Sequence, residues 1–492
     1  MNTFNMAILT AYFSLLAILS LYGLHRYYLI GLFLRTRNNL PKPGKVGDPP
    51  PRLTIQLPIY NELYVVERLI HATCGIVYPP DRLQIQVLDD STDSTCEVAR
   101  ELVEKLRRQG TPIEYLHRTD RKGFKAGALQ AGLASATGEF IAIFDADFVP
   151  TAGFARSVMP YFADPGIGMV QVRWGHINRD YSLLTRVQSI LLDGHFLIEH
   201  AARNRGGLFF NFNGTAGIWR RSCLESAGGW QADTLTEDLD LSYRAQLKGW
   251  KFLFLSDVVA PGELPVEMNA FKIQQHRWAK GSVQTARKLL PAILRSGLPR
   301  RVKAEAIVHL TSNFAYPMML ALALLLYPSI RIRGEAGITG LLLADLPMFI
   351  LATFSVMTFY SFSQKLTGVS RLRRFIYLPF LMSIGIGLAV NNSHAVFSAL
   401  FGKDTAFQRT PKFRIETAAD RWTGKRYGGR LTMSTFLELF FACYFGAALF
   451  DTLRLKMFAS IPFLLLFFCG FLYTSTLTLG QWARKRLAAP AA

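Results

Sequence analysis

Cysteine is scarce and scattered. The 492 residues contain five, Cys74, Cys96, Cys223, Cys443 and Cys469, with no CxxC and no histidine-linked spacing. This pattern excludes a disulfide framework and a zinc ribbon, and it fits reduced thiols. Acidic residues are also few, 35 Asp and Glu against 55 Lys and Arg, for a net charge of +20. Internal repeats and low-complexity tracts are missing too, so neither a solenoid nor a disordered tail accounts for the length. No Lys or Arg precedes the first apolar run. That run therefore lacks the basic region of a cleaved signal peptide and is expected to be a retained anchor, its N-terminus outside.

Apolar residues are abundant. Half of the chain is hydrophobic, yet 18% is charged, and the mean hydropathy is +0.20. This combination predicts a water-soluble domain joined to membrane segments. Runs long enough to span fall near 7–28, 305–328, 341–362, 434–451 and 457–480. The excess positive charge borders these runs. Residues 280–303 carry seven Lys and Arg with no acid among them, and 365–374 and 403–430 are also basic. Charge so placed sets membrane orientation and meets lipid headgroups, and does not point to nucleic acid. Segment 375–400 is apolar through Leu388 and then continues into Asn391, Asn392, Ser393 and His394. Both of its flanks are basic, so it is expected to lie on or dip into the inner leaflet, leaving both flanks cytoplasmic.

Between 52 and 300 the pattern is soluble α/β. Strands are expected at Leu53–Ile59, Gln84–Leu88, Ile113–Leu116, Phe140–Phe144 and Gly168–Val172, the first four alternating with helices near 62–76, 94–109 and 124–136. Such alternation predicts βαβ units about a mainly parallel, Rossmann-like sheet, with ligands at the carboxyl ends of its strands.

Polar motifs sit at those ends. Asp145 and Asp147 close an apolar strand, and two carboxylates at i and i+2 suit one Mg²⁺ or Mn²⁺ on a diphosphate. Alone, the pair reads equally as a turn with solvated acids. Asp89-Asp90 ends another strand, and Lys125 at a helix start can meet donor phosphate or solvent. Leu235-Thr236-Glu237-Asp238 offers Asp238 as a general base for an acceptor hydroxyl; as a helix start, it would have Thr236 as its cap. Gln274 and Arg277 suit pyrophosphate or hydroxyl groups, and the indole of Trp278 suits a sugar face, unless this is an interfacial aromatic–basic helix. Phe209–Thr215, with Asn213, reads either as an acceptor-facing loop or as a packed strand and turn.

The ordered set Asp89-Asp90, Asp145-Ala-Asp147, Thr236-Glu237-Asp238 and Gln274-x-x-Arg277-Trp278 resembles the D, DxD, TED and QxxRW pattern of the processive family 2 glycosyltransferases. Within these, Phe212-Asn213-Gly214-Thr215-Ala216-Gly217 and Gln275-His276-Arg277-Trp278 look most like the plant cellulose-synthase-like mannan and glucan group. The resemblance implies a GT-A catalytic domain beside a helical transmembrane region, inversion by single displacement, and passage of polymer through a channel made by the spans. It implies that Tyr60, Glu62, Asp89, Asp90, Lys125, Asp145, Gln274 and Arg277 meet the nucleotide-sugar donor. Asp145 and Asp147 would meet the metal, Asp238 with Glu237 would serve catalysis, and Trp278 and Asn213 would face the glycan acceptor. Phe407-Gln-Arg-Thr410-Pro-Lys412 is similar to the FxVTxK gating loop of bacterial cellulose synthase, departing at Arg409 and Pro411. The expected domains are an anchor at 1–34, a cytoplasmic catalytic domain at 35–300 and a membrane region at 301–492, the last with a gating-type loop at 401–430. UDP-glucose is the first expectation for the donor and GDP-mannose the second. The membrane is a plasma or inner membrane, lipid is a partner, and subunits for envelope export are a conceivable addition. A glycolipid synthase of the ceramide-glucosyltransferase type remains the alternative, and a non-catalytic scaffold is disfavoured because every expected acid is present.

Overall fold

A computed structural model describes residues 2–337, 342–402, 407–428 and 431–488. Seven strands form one sheet: β1 (Leu53–Ile59), β2 (Leu83–Asp89), β3 (Ile113–His117), β4 (Phe140–Ile143), β5 (Ile167–His176), β6 (Gly217–Arg220) and β7 (Lys251–Gly262), in the order β3-β2-β1-β4-β6-β5-β7. The first four are mutually parallel, with β1 flanked by β2 and β4. Crossover helices Val66–Cys74, Thr95–Arg108 and Phe124–Ser135 connect them as the alternation predicts. β6 enters antiparallel to both β4 and β5, and β5 runs parallel to β7. The result is a mixed GT-A-like sheet.

β1 is buried along almost its whole length because helices cover both of its faces. Polar residues on this buried strand are satisfied across the sheet: Gln56 Nε2 donates to Gln86 Oε1 at 3.0 Å, and Gln86 Nε2 to Glu114 Oε1 at 3.0 Å. Chain order reverses between β1 and β4. Their carboxyl ends therefore open a crevice at the topological switch point, where open α/β sheets bind ligands.

Among the described residues, four helices are long and apolar enough to cross a membrane: Thr3–Thr36, Arg300–Glu335, Met433–Arg454 and Ile461–Leu487. They make the chain a multi-pass membrane protein, and they contain or overlap four of the expected spans. The expected span 341–362 begins at residue 341, outside the described residues; from Leu342 the chain is helical to Leu366. Segment 375–400 is a bent pair, Arg371–Gly387 and Ala389–Phe401, meeting at 40°. Its polar half is buried in protein: Asn391 Nδ2 donates to the Lys272 carbonyl at 3.0 Å, and Asn392 and Ser393 are almost fully covered. The soluble and membrane parts are joined through helix Met268–Arg295, whose Lys272 Nζ lies 2.6 Å from Glu438 Oε2, both side chains nearly inaccessible.

Candidate active site

Strand ends deliver acids and aromatics to one cavity. Tyr60 and Glu62 follow β1, Asp90 follows β2, and Asp145 and Asp147 follow β4; all five line it. Asp90 is buried under Arg118, whose Nε and Nη2 donate to its two oxygens at 2.8 and 2.6 Å. This bidentate pair fixes the carboxylate rotamer. Arg121 lies over the Tyr60 ring, 3.4 Å from its centroid. Asp89 sits elsewhere. It is fully buried, accepts from Tyr115 Oη at 2.6 Å and from the Ser91 amide at 2.8 Å, and does not line the cavity.

Among the described residues, three metal-capable atoms come within 4.8 Å of one another only at Asp89, Cys96 and His117. That group does not suit a metal. Burial and the nearby Asp89 push the Cys96 thiol up to about 11, so it stays protonated, and Asp89 is already committed to its two donors. Asp145 and Asp147 differ. Lys125 Nζ lies 2.6 Å from Asp145 Oδ1, and Lys412 Nζ pairs with Asp147 Oδ2. Two carboxylates already facing cations are a hard-oxygen donor set that fits Mg²⁺ or Mn²⁺.

Lys125 also donates to the Gly214 carbonyl at 2.8 Å and stands 3.9 Å from Glu237 Oε1. Burial opposes its charge, but Asp145 and Glu237 outweigh burial and hold its pKa above the ordinary lysine value.

Helix Glu237–Leu247 opens with Glu237 and Asp238. The expected Thr236 side-chain cap is not formed. Its hydroxyl instead lies 3.4 Å from that of Thr285, and the helix Met268–Arg295 packs on it through Gly281, where an added Cβ would come within 2.5 Å of Thr236. Tertiary packing thus overrides the local capping signal. Asp238 accepts from the Leu239 amide at 2.8 Å. Burial first, then the neighbouring Glu237, push Asp238 up to about 7, against Lys125 and Arg277. Opposite it, Gly214 adopts φ +78°, and a Cβ there would stand 3.0 Å from Asp238 Oδ2. Only glycine both accepts that backbone and leaves the carboxylate clear.

Gln274, Arg277 and Trp278 line the same cavity from helix Met268–Arg295. Trp278, Asp238 and Asn213 also line a second cavity of about 360 Å³, which continues to Tyr316, Tyr360 and Gly385 on the membrane-side helices. The segment Phe209–Thr215 forms no strand; Phe210 and Phe212 are core, while Asn213 lines both cavities. Asn213 Nδ2 meets His195 Nε2 at 2.9 Å, and its Oδ1 meets His200 Nε2 at 2.7 Å. His195 Nδ1 reaches Glu199 at 3.0 Å, within a π-helical turn at His195–His200.

The segment that begins at Phe407 adds to the same cavity. Phe407, Thr410 and Lys412 line the cavity. Arg277 lies 4.6 Å from the Phe407 ring centroid, and Arg409 is 2.8 Å from Glu62 Oε2. Burial raises Glu62 to about 7, with Arg409 and Lys412 opposing. Arg68 anchors the segment by bonding Glu263 at 3.0 Å and Glu416 at 2.9 Å. Sequence reasoning passed over Arg118, Arg121 and Arg409. The first two follow the end of β3, where basic residues opposite strand-end acids are the available signal; Arg409 departs from the family pattern and gave none.

Residues 50–281 match the model of the Glycosyltransferase like family 2. Glucomannan 4-beta-mannosyltransferase 1 of Oryza sativa subsp. japonica is 44% identical over 269 residues, 54% of this chain and 51% of that protein. Glucomannan 4-beta-mannosyltransferase 9 of Arabidopsis thaliana is 45% identical over 272 residues, 54% of this chain and 50% of that protein. The chain spans about half the length of these relatives. Among solved structures, the mannosyltransferase PcManGT from Pyrobaculum calidifontis in complex with GDP-Man and Mn²⁺ shares the fold, with TM-score 0.52 and 23% identity, over 78% of this chain and 100% of that one. Residues 50–281 are thus similar to the family 2 glycosyltransferases.

Proposed function

We propose that this protein is an inverting synthase that transfers a hexose from a nucleotide sugar onto a β-linked polysaccharide at the cytoplasmic face of a membrane. The observation that carries this reading is the position of Asp238 and Trp278 where the two cavities meet, one lined by strand-end acids and the other leading to the membrane helices. Asp238 takes the proton of the acceptor hydroxyl while the oxygen attacks C1 of the donor sugar. The bond from C1 to the diphosphate breaks on the opposite face, inverting the centre, and its electron pair leaves with the nucleoside diphosphate. A base with pKa about 7 is matched to this work at neutral pH. Lys125 and Arg277 meet the departing diphosphate, Tyr60, Glu62 and Asp90 the nucleoside, and Trp278 and Asn213 the acceptor. Asp145 and Asp147 would hold Mg²⁺ or Mn²⁺, which supplies charge neutralisation for the leaving group. Phe407, Thr410 and Lys412 act as a gate that withdraws to admit donor.

GDP-mannose replaces UDP-glucose as the preferred donor, because the relatives at 44–45% identity carry mannosyltransferase names. This reading keeps an anchor at 1–34, a catalytic domain at 35–300 and a membrane region at 301–492, and takes the bent pair as a re-entrant element. Full-length protein in lipid nanodiscs is offered GDP-mannose and UDP-glucose separately. Release of GDP with Mn²⁺ present, and a product cleaved by β-mannanase, are expected. Full turnover in excess EDTA would remove the metal from the proposal. A product confined to the lipid extract would favour the glycolipid alternative, and no release from either donor would end the reading.

A further inference from the structure

A separate cavity of about 730 Å³ lies where the first membrane helix ends and where helix Leu342–Leu366 ends, against the outer part of β5 and β7. Arg37, Arg173, Arg179 and Arg205 line it together with His176, while only Asp193 and Asp257 supply negative charge. Four arginines against two acids leave an excess of positive charge. Asp193 is occupied by Gln364 at 2.8 Å, with His176 at 3.7 Å and Arg179 at 3.6 Å. Arg173 uses Nε alone, on the Ser256 carbonyl at 2.9 Å. Among the described residues, its two terminal nitrogens and the whole Arg37 guanidinium have no hydrogen-bond or ion-pair partner. Arg205 is steadied by Ser256 at 3.1 Å and by the Arg37 carbonyl at 3.3 Å. Phe33, Leu40 and Leu366 add apolar surface on the side of the helix ends, beside Asn38 and Thr367.

Arginines that only orient a chain in a membrane are solvated singly at its surface. Here they converge on one open cavity beside the ends of helices Thr3–Thr36 and Leu342–Leu366, with donors to spare and apolar side chains beside them. Guanidinium forks match phosphate oxygens two at a time. We infer that this cavity binds a phosphate group, presented by the headgroup of an anionic phospholipid whose glycerol and upper chains rest on Phe33, Leu40 and Leu366.

The full-length protein, purified in detergent, is incubated with phosphatidylglycerol or phosphatidylcholine, and the lipid retained is read by native mass spectrometry. One phosphatidylglycerol should be retained about tenfold more strongly than phosphatidylcholine, the scale of one charged hydrogen bond or more. Arg37→Gln with Arg173→Gln should lower that retention about tenfold while the melting temperature and nucleotide binding stay unchanged. Arg37→Glu alone, on an exposed side chain, gives an independent reading should the double variant fail to fold, and it should weaken retention in the same direction. Equal retention of both lipids, or retention indifferent to these variants, overturns the site. Excess inorganic phosphate should displace the lipid; failure to compete overturns phosphate as the recognised group. Phosphate binding without any retention of phosphatidylglycerol overturns the lipid as its source.

Discussion

The two walls of the catalytic cavity are held by different means. On one, Tyr60, Asp90 and Asp145 are fixed by strand register, since β1, β2 and β4 end side by side. On the other, Trp278, Arg277 and the segment from Phe407 stand on a helix and a loop whose places are set by buried contacts: Lys272 with Glu438, Arg409 with Glu62, and Gly281 against Thr236. Register comes from local pattern and many backbone hydrogen bonds. Ion pairs between distant segments rest on single residues, so the second wall is the more fragile.

The largest expected effect falls where the walls meet. Asp238→Asn keeps size and hydrogen bonding but removes the proton acceptor, and transfer should drop by about 10²–10⁴-fold while nucleotide still binds. Because the folded pKa of Asp238, about 7, lies above the ordinary aspartate value of 3.8, stability falls as pH rises through 7. The same variant should therefore melt higher than wild type at pH 8. A loss of transfer below about tenfold would move the base elsewhere.

Next comes the fragile wall itself. Lys272→Met leaves Glu438 buried without its partner and should cost about 3–5 kcal/mol, read from unfolding in detergent. Adding Glu438→Leu should recover most of that loss. Equal damage in the single and double variants would show that the pair does not hold the wall. A smaller effect is expected from Gly214→Ala, which adds a methyl beside the Asp238 carboxylate and strains a backbone at φ +78°. Turnover should fall about tenfold, with the fold retained and donor binding little changed. Unaltered turnover would mean that the carboxylate has room to move.

The last test is a slope, read on the unaltered protein. Asp238 faces Glu237, Lys125 and Arg277, and its charged form is the active one. The rate at limiting acceptor should rise about tenfold per pH unit up to about pH 7 and then level off. A flat profile between pH 5.5 and 8, ~2.5 units across the expected midpoint, would separate the rate from this group.

Much of the strand-end wall was legible because β1 to β3 are apolar runs followed at once by acids and turns. β1 matched its expected limits, and β2 and β3 differed only at their ends. β6 was missed: it is four residues long and follows an aromatic loop, so nothing in its pattern separates it from that loop. β7 was missed as well, with its mixed burial and a register break opposite Val172 and Arg173. Within the site, Asp238 and Trp278 were found by motif, but their neighbours were not. The contact of Arg409 with Glu62 joins residues nearly 350 positions apart, and no local periodicity encodes it. Asp89 illustrates the converse. Adjacent to Asp90 and equally acidic, it points to the other side of the strand end, as alternation along a strand requires.

Trp174 lines the cavity at the strand ends, the cavity that leads to the membrane-side helices and the arginine-rich cavity. One indole is thus a partition shared by three chambers, held edge-on by Phe148 at 5.2 Å and tilted against Phe196 at 5.2 Å. Space gained on one side of a partition is lost on another. A molecule that shifts the ring to fit one chamber alters what the others admit, and the influence runs with equal strength in both directions.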